Sequence, residues 1–180
     1  MAMASERSFT RILPAGSALV DTGAGHPTCG SLSFERIEIA LNQCGIKSVV
    51  IPAHMASIPA CANGVGGVAS TKEVRVVPMR FGNDTIFAEM LILDNDVPPL
   101  LPATLLDSCI VDLQRNVIVW NWANKKQCET EMLILKSKHR SIDITNFSEV
   151  VFSVPQGVLS KYGVFAFDFI YQAASPVAGN

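Results

Sequence analysis

The apolar run Ser17-Ala18-Leu19-Val20 leads directly into Asp21-Thr22-Gly23-Ala24, and this junction constrains the fold more than any other stretch of the chain. A short apolar run that stops at turn formers suits a buried strand. Gly23, Gly25 and Pro27 end it at once, because glycine reaches tight-turn conformations closed to other residues and lets backbone N–H groups turn back toward a carboxylate. A sheet has to lie behind such a strand to hold the acid in place. Asp21 is therefore the first candidate for chemistry, and the plainer reading is a turn aspartate that caps its own loop.

Composition narrows what that acid can serve. The chain has 180 residues, 49% of them hydrophobic, enough to bury the core of a domain. Its net charge is −2 and its 14 Lys and Arg residues are scattered, which leaves no basic footprint for a phosphate backbone, so no nucleic-acid binding is expected. The start, Met1-Ala2-Met3-Ala4-Ser5-Glu6-Arg7, has no apolar targeting core, and no apolar stretch approaches the roughly 18 residues of a membrane helix. The expectation is a soluble, intracellular, cytoplasmic protein with no membrane contact. Five cysteines, Cys29, Cys44, Cys61, Cys109 and Cys128, show no C-x-x-C spacing, which favours buried free thiols over a disulfide framework or a zinc site. His26, His54 and His139 lack metal-ligand spacing, so no metal is expected. His26 and Cys29 make a poor nucleophile pair, since no third group is evident to orient them.

Strand-like segments recur at 17–20, 47–51, 73–77, 85–93 and 117–122, each rich in Val, Ile, Leu or aromatic residues between turn formers. The fold class expected is all-β. One helix is expected over 33–44, where Phe34, Ile37, Ala40, Leu41 and Cys44 share a face and Gly45 supplies the stop. A shorter one is expected over 103–108, after Pro102. Between them the glycine-rich, nearly uncharged stretch 61–70 reads as a hairpin tip. No internal repeat is visible, so a duplicated two-lobed architecture has no support. From about residue 123 a Lys-rich polar stretch and then aromatic-rich 164–171 read as a C-terminal extension.

The order of these parts resembles a retropepsin-like aspartic protease domain of the retroviral and retrotransposon kind. The resemblance covers roughly 14–122, with 1–13 as an N-terminal leader and 123–180 as the extension. It rests on Leu19-Val20-Asp21-Thr22-Gly23-Ala24, on Pro99-Leu100-Leu101, and on Cys109-Ile110-Val111-Asp112-Leu113 followed by Val117-Ile118-Val119-Trp120. It implies a single-lobe acid protease barrel with one or two short helices. Asp21 would be the catalytic acid, Thr22 would lock the active-site turn, and Gly23 and Ala24 would bring the backbone close. Leu100 and Leu101 would be the apolar pair crossing behind that loop, and the Ile110–Trp120 region the closing helix-to-strand passage. Asn63, Gly64, Val65, Gly66 and Gly67 would form a flap over an extended polypeptide substrate.

Hydrolysis by this route needs two carboxylates sharing a proton, one activating water and one protonating the scissile carbonyl. The chain offers one good copy; Asp107 reads as a helix or turn residue. The resemblance therefore implies a homodimer in which Asp21 and its symmetry mate form the dyad, with no metal or organic cofactor. The activity implied is that of an aspartic endopeptidase processing a retroelement polyprotein. Pro102 stands where the family pattern has a small residue, and Ser108-Cys109 where a glycine is common. These departures motivate the alternative, a catalytically degenerate protease-fold domain acting in peptide binding or dimerisation. Trp120 and Trp122 alternate along a strand and read as core and rim, and 136–140 reads as a solvated charged face.

Overall fold

A long β-hairpin organises the structure, a computed structural model that describes residues 13–59, 61–64, 67–107, 109–120 and 127–174. Its strands β5 (Gly67–Phe81) and β6 (Asp84–Leu93) pair from Phe81↔Asp84 to Thr71↔Leu93, with one irregularity between Thr71 and Glu73. The connection is the two-residue loop Gly82-Asn83, in which Gly82 has φ +56°. A tight hairpin of this length needs a left-handed first residue, which glycine adopts without strain. The two expected segments 73–77 and 85–93 are thus the arms of one hairpin.

Beside it lie β1 (Ser17–Val20), β2 (Thr28–Gly30), β3 (Val49–Ile51), β7 (Leu100–Leu101), β11 (Leu133–Ile134) and β12 (Arg140–Asp143), in the order β11-β12-β1-β7-β2-β6-β5-β3, with β4 (Cys61–Gly64) extending the hairpin side of β5. A second sheet has the order β10-β9-β8, from β8 (Cys109–Asp112), β9 (Val117–Trp120) and β10 (Cys128–Glu131). The architecture is mostly β, as expected. Among the described residues no pairing joins β11 to β3, so the large sheet is open, because β8, β9 and β10 pair with one another rather than closing it.

Helix α1 (Ser31–Gln43) starts two residues before its expected position and ends one residue before its expected end, with Cys44 as its cap. Gly45 N–H donates to Asn42 O and Ile46 N–H to Leu41 O, both consistent with Gly45 at φ +73° closing the last turn. Phe34, Ile37 and Leu41 pack on Ala18, Val77, Met79, Met90, Ile92 and Leu101 from one face of the sheet. The alternate residues Val74, Val76, Leu91 and Leu93 face the other way, against Tyr162 of α3 (Gln156–Tyr162) and Phe169 of a 3₁₀ turn (Ala166–Phe169). Because both faces of β6 are buried, its second half carries the unbroken apolar run Met90-Leu91-Ile92-Leu93. No helix among the described residues is long and apolar enough to cross a membrane.

Two expectations need restating. Residues read as a C-terminal extension are built into the fold: β12 pairs antiparallel with β1 (Ser17↔Asp143, Leu19↔Ser141) and β10 pairs with β9. The 3₁₀ turn is also tied to the end of α1, with Lys47 N–H donating to Phe169 O and Tyr171 N–H to Gly45 O. Residues 103–120 form α2 (Ala103–Leu106) and then the β8–β9 hairpin, which completes the second sheet rather than the large one. The physical reason lies in its turn, where Asp112 Oδ1 accepts the N–H groups of Gln114 and Arg115 and Asn116 sits at φ +57°, folding the chain back on itself.

Trp120 joins the two sheets. It is buried, stacks on Phe81 with ring centroids 4.7 Å apart, and donates its indole N–H to Thr130 Oγ1 at 2.8 Å. Trp120→Phe should lower unfolding free energy by about 1–3 kcal/mol, from lost volume and one lost hydrogen bond. Urea denaturation followed by far-UV circular dichroism measures this, and an unchanged midpoint would show that the second sheet adds no stability through this contact.

Candidate active site

The site is built by interlocking the two ends of a loop around a third strand. β1 runs into the Asp21 turn, β2 leaves it, and β7 lies between them, parallel to β1 (Leu19↔Leu100, Val20↔Leu101) and antiparallel to β2 (Thr28↔Leu100). Leu19 N–H donates to Pro99 O at 2.8 Å and Asp21 N–H to Leu101 O at 3.0 Å. The exit arm is held by Leu91 N–H donating to Pro27 O at 3.0 Å and by the parallel pairing of β2 with β6. The apolar pair alternates as a strand must: Leu101 enters the main core, while Leu100 packs on the small cluster of Leu13, Leu19 and Leu135.

Within the turn, Gly23 N–H donates to Asp21 Oδ1 at 2.9 Å and Ala24 N–H to Asp21 O at 3.2 Å. A Cβ on Gly23 would stand 3.2 Å from Asp21 Oδ1, tighter than most side-chain contacts, so a glycine keeps this approach open. Asp21 and Ala24 are half-buried, whereas Thr22 and Gly23 are exposed. The turn is closed by its own backbone around the carboxylate. Among the described residues no hydrogen bond of the Thr22 hydroxyl contributes to it. Thr28 Oγ1 donates to His26 O at 2.9 Å and closes the far side. One oxygen of Asp21 is thus held by a backbone donor in a half-buried residue whose neighbours Thr22 and Gly23 are exposed.

The glycine-rich stretch forms the β4–β5 hairpin, with Asn63↔Val68 and Gly64↔Gly67 as its last described pairs; Val65 and Gly66 lie outside the described residues. It leaves the large sheet where Asp94 N–H donates to Ser70 O at 3.2 Å. Among the described residues no hydrogen bond joins it to the Asp21 turn. Ser108, Trp122, Lys125 and Lys126 also lie outside the described residues, as do 1–12 of the expected leader.

The other candidates take ordinary places. Cys29 is fully buried, and burial, with the Asp96 charge adding to it, pushes its thiol far above the usual range, so it is no nucleophile at neutral pH. Burial and then Asp107 push Cys109 up to about 11, and its Sγ donates to Leu106 O. Asp107 is exposed at the end of α2. Among the described residues no three His, Cys, Asp or Glu side chains gather as a metal site would require. Lys136, Lys138 and His139 are exposed around the β11–β12 turn.

Three parts of the arrangement had no reading in the sequence. Gly30 begins α1 at a point where its N–H donates to Val97 O at 2.7 Å. β12 shields the outer edge of β1. Glu89 is buried on β6 with partners from two other elements. The sequence signal for Glu89 is an acid set inside the apolar run Ile86–Leu93. No family model matches the chain, and no curated protein matches it.

Proposed function

We propose that this chain is an aspartic endopeptidase with a retropepsin-like single lobe, acting in the cytoplasm on a retroelement polyprotein. The single observation that supports it is the interlocked loop, in which β7 passes between the two arms of the Asp21 turn and accepts the Asp21 N–H. An ordinary turn aspartate needs no such crossing. Here three strands and a backbone donor fix the position of one carboxylate that is left partly open.

The chemistry follows from pairing two such turns about a two-fold axis. Two Asp21 carboxylates about 3 Å apart cannot both ionise, so the pair holds one shared proton. The ionised member takes a proton from water as that water attacks the scissile carbonyl carbon. The protonated member gives its proton to the carbonyl oxygen, forming a gem-diol; the first member then passes the proton it took from water to the leaving nitrogen as the C–N bond breaks, and a hydroxyl proton of the gem-diol returns to the second member, which leaves one proton on the pair. The substrate is an extended polypeptide, which the β4–β5 hairpin covers. No metal or organic cofactor takes part.

A symmetric dyad has a consequence in mixtures. When wild-type protein is mixed and exchanged with an equal amount of Asp21→Asn protein, only about one quarter of dimers keep both acids by random pairing. Peptidase activity per wild-type chain should fall to about half. An unchanged specific activity would mean that each chain works alone and would overturn the dyad. The second reading, a degenerate fold that binds peptide or dimerises without cleaving, draws on Pro102. This proline is buried directly after Leu101 and brings a ring and no N–H to the crossing.

A further inference from the structure

Among the described residues Glu89 is the buried charged side chain, only 5% exposed. It sits on β6 opposite Val76. Its Oε2 accepts the backbone N–H groups of Ser57 at 2.7 Å and Ile58 at 3.1 Å, in the segment that leads into β4. Its Oε1 accepts the Tyr162 hydroxyl at 2.7 Å and lies 3.3 Å from Lys161 Nζ, both on α3. One carboxylate therefore joins three elements that are far apart in sequence.

We propose that α3 sets the position of the β4–β5 hairpin through Glu89, which acts as a positioning residue. The Ser57 and Ile58 amides lie at the foot of the hairpin's first arm, four and three residues before Cys61. Tyr162 donates to Glu89 Oε1 rather than to the oxygen that holds the two amides, so its hydroxyl acts on them through the carboxylate's orientation. Ile58 also packs beside Tyr162 and Phe169 in the second apolar cluster, so the foot of the hairpin and α3 share a core as well as a charge. Burial raises the Glu89 carboxyl, but the hydrogen bonds from Tyr162, Ser57, Ile58 and Lys161 outweigh it and hold the group below its ordinary value. The carboxylate is therefore ionised at neutral pH, the state in which its acceptor bonds are strongest. Where the hairpin covers bound peptide, as proposed above, α3 becomes a control element for substrate access; the coupling itself does not depend on that reading.

Amide hydrogen exchange on the whole chain tests the coupling. Tyr162→Phe removes one hydroxyl and keeps the ring in its core. It should speed exchange at Ser57 and Ile58 by about tenfold, the scale of one hydrogen bond to a charged group. Exchange at Leu19 and Asp21, in the β1 region, should stay unchanged and so report no global loss. Glu89→Gln should speed the same two amides, and adding Tyr162→Phe to it should add little, because both act through one carboxylate. Unchanged exchange at Ser57 and Ile58 in Tyr162→Phe would overturn the proposal, as would full additivity in the double variant. If Glu89→Gln fails to fold, Tyr162→Phe alone decides. In a cleaving protein Tyr162→Phe should raise KM with kcat kept; absence of all cleavage would count against the peptidase reading while the exchange result still judged the coupling.

Discussion

Asp21→Asn should abolish peptide cleavage, with a loss of about 10³-fold or more in kcat, the scale at which a positioned acid–base group contributes. The substitution is close to isosteric. An asparagine oxygen can still accept the Gly23 N–H that Asp21 Oδ1 accepts at 2.9 Å, so the turn and the crossing of β7 should persist. What disappears is the proton that the dyad shares. The measurement is digestion of an unstructured peptide library between about pH 4 and 7, the range in which such a pair can hold one proton, with the melting temperature as a control for folding. Cleavage that survives the substitution would remove Asp21 from the chemistry. A parent protein that folds, dimerises and cleaves nothing would select the degenerate, peptide-binding reading.

Gly30→Ala should be strongly destabilising, costing about 3 kcal/mol or more. Gly30 has φ −72°, a conformation any residue adopts, so the cost does not come from the backbone angle. It comes from close approach. A Cβ there would meet Asn95 O at 2.2 Å and Val97 N at 2.5 Å, both backbone atoms that cannot swing aside as a side chain would. Relief requires moving the 95–97 segment away from β2, which would break the 2.7 Å bond from Gly30 N–H to Val97 O. Overpacking at a rigid contact costs at the upper end of the usual range. The change also lies between the Asp21 turn and α1, so it should disturb the site as well as stability. Thermal unfolding of Gly30→Ala beside Gly157→Ala, where a Cβ meets nothing within 4 Å, separates steric cost from a general glycine effect. A melting temperature equal to the parent's would show that the 95–97 segment yields freely.

Much of the site was legible because its chemistry is local. The strand 17–20, the turn at Asp21, α1 with its Gly45 stop and the β6 strand all announce themselves through spacing and turn residues within a dozen positions. The β8–β9 hairpin was harder to read, since Ile110-Val111-Asp112-Leu113 is short and apolar and its turn depends on Asp112 capping the next two N–H groups. Residues from about 123 onward were less legible for another reason. Their charged and polar composition describes a surface, yet Arg140-Ser141-Ile142-Asp143 lies against β1, with Ser141 and Ile142 buried and Asp143 accepting from Thr145.

Local chemistry by itself determined that a strand would carry Asp21 into a glycine turn and that the chain would be mostly β, because side-chain period and backbone freedom act between neighbours. Only the tertiary structure decided that β7 would thread between the arms of that turn, that β12 would close the edge of β1, and that Glu89 would join β6 to α3 and the foot of the hairpin. Those pairings join residues tens of positions apart. Their free energy arises from shared burial and from satisfying backbone groups that would otherwise be stranded, and neither is written in any one segment.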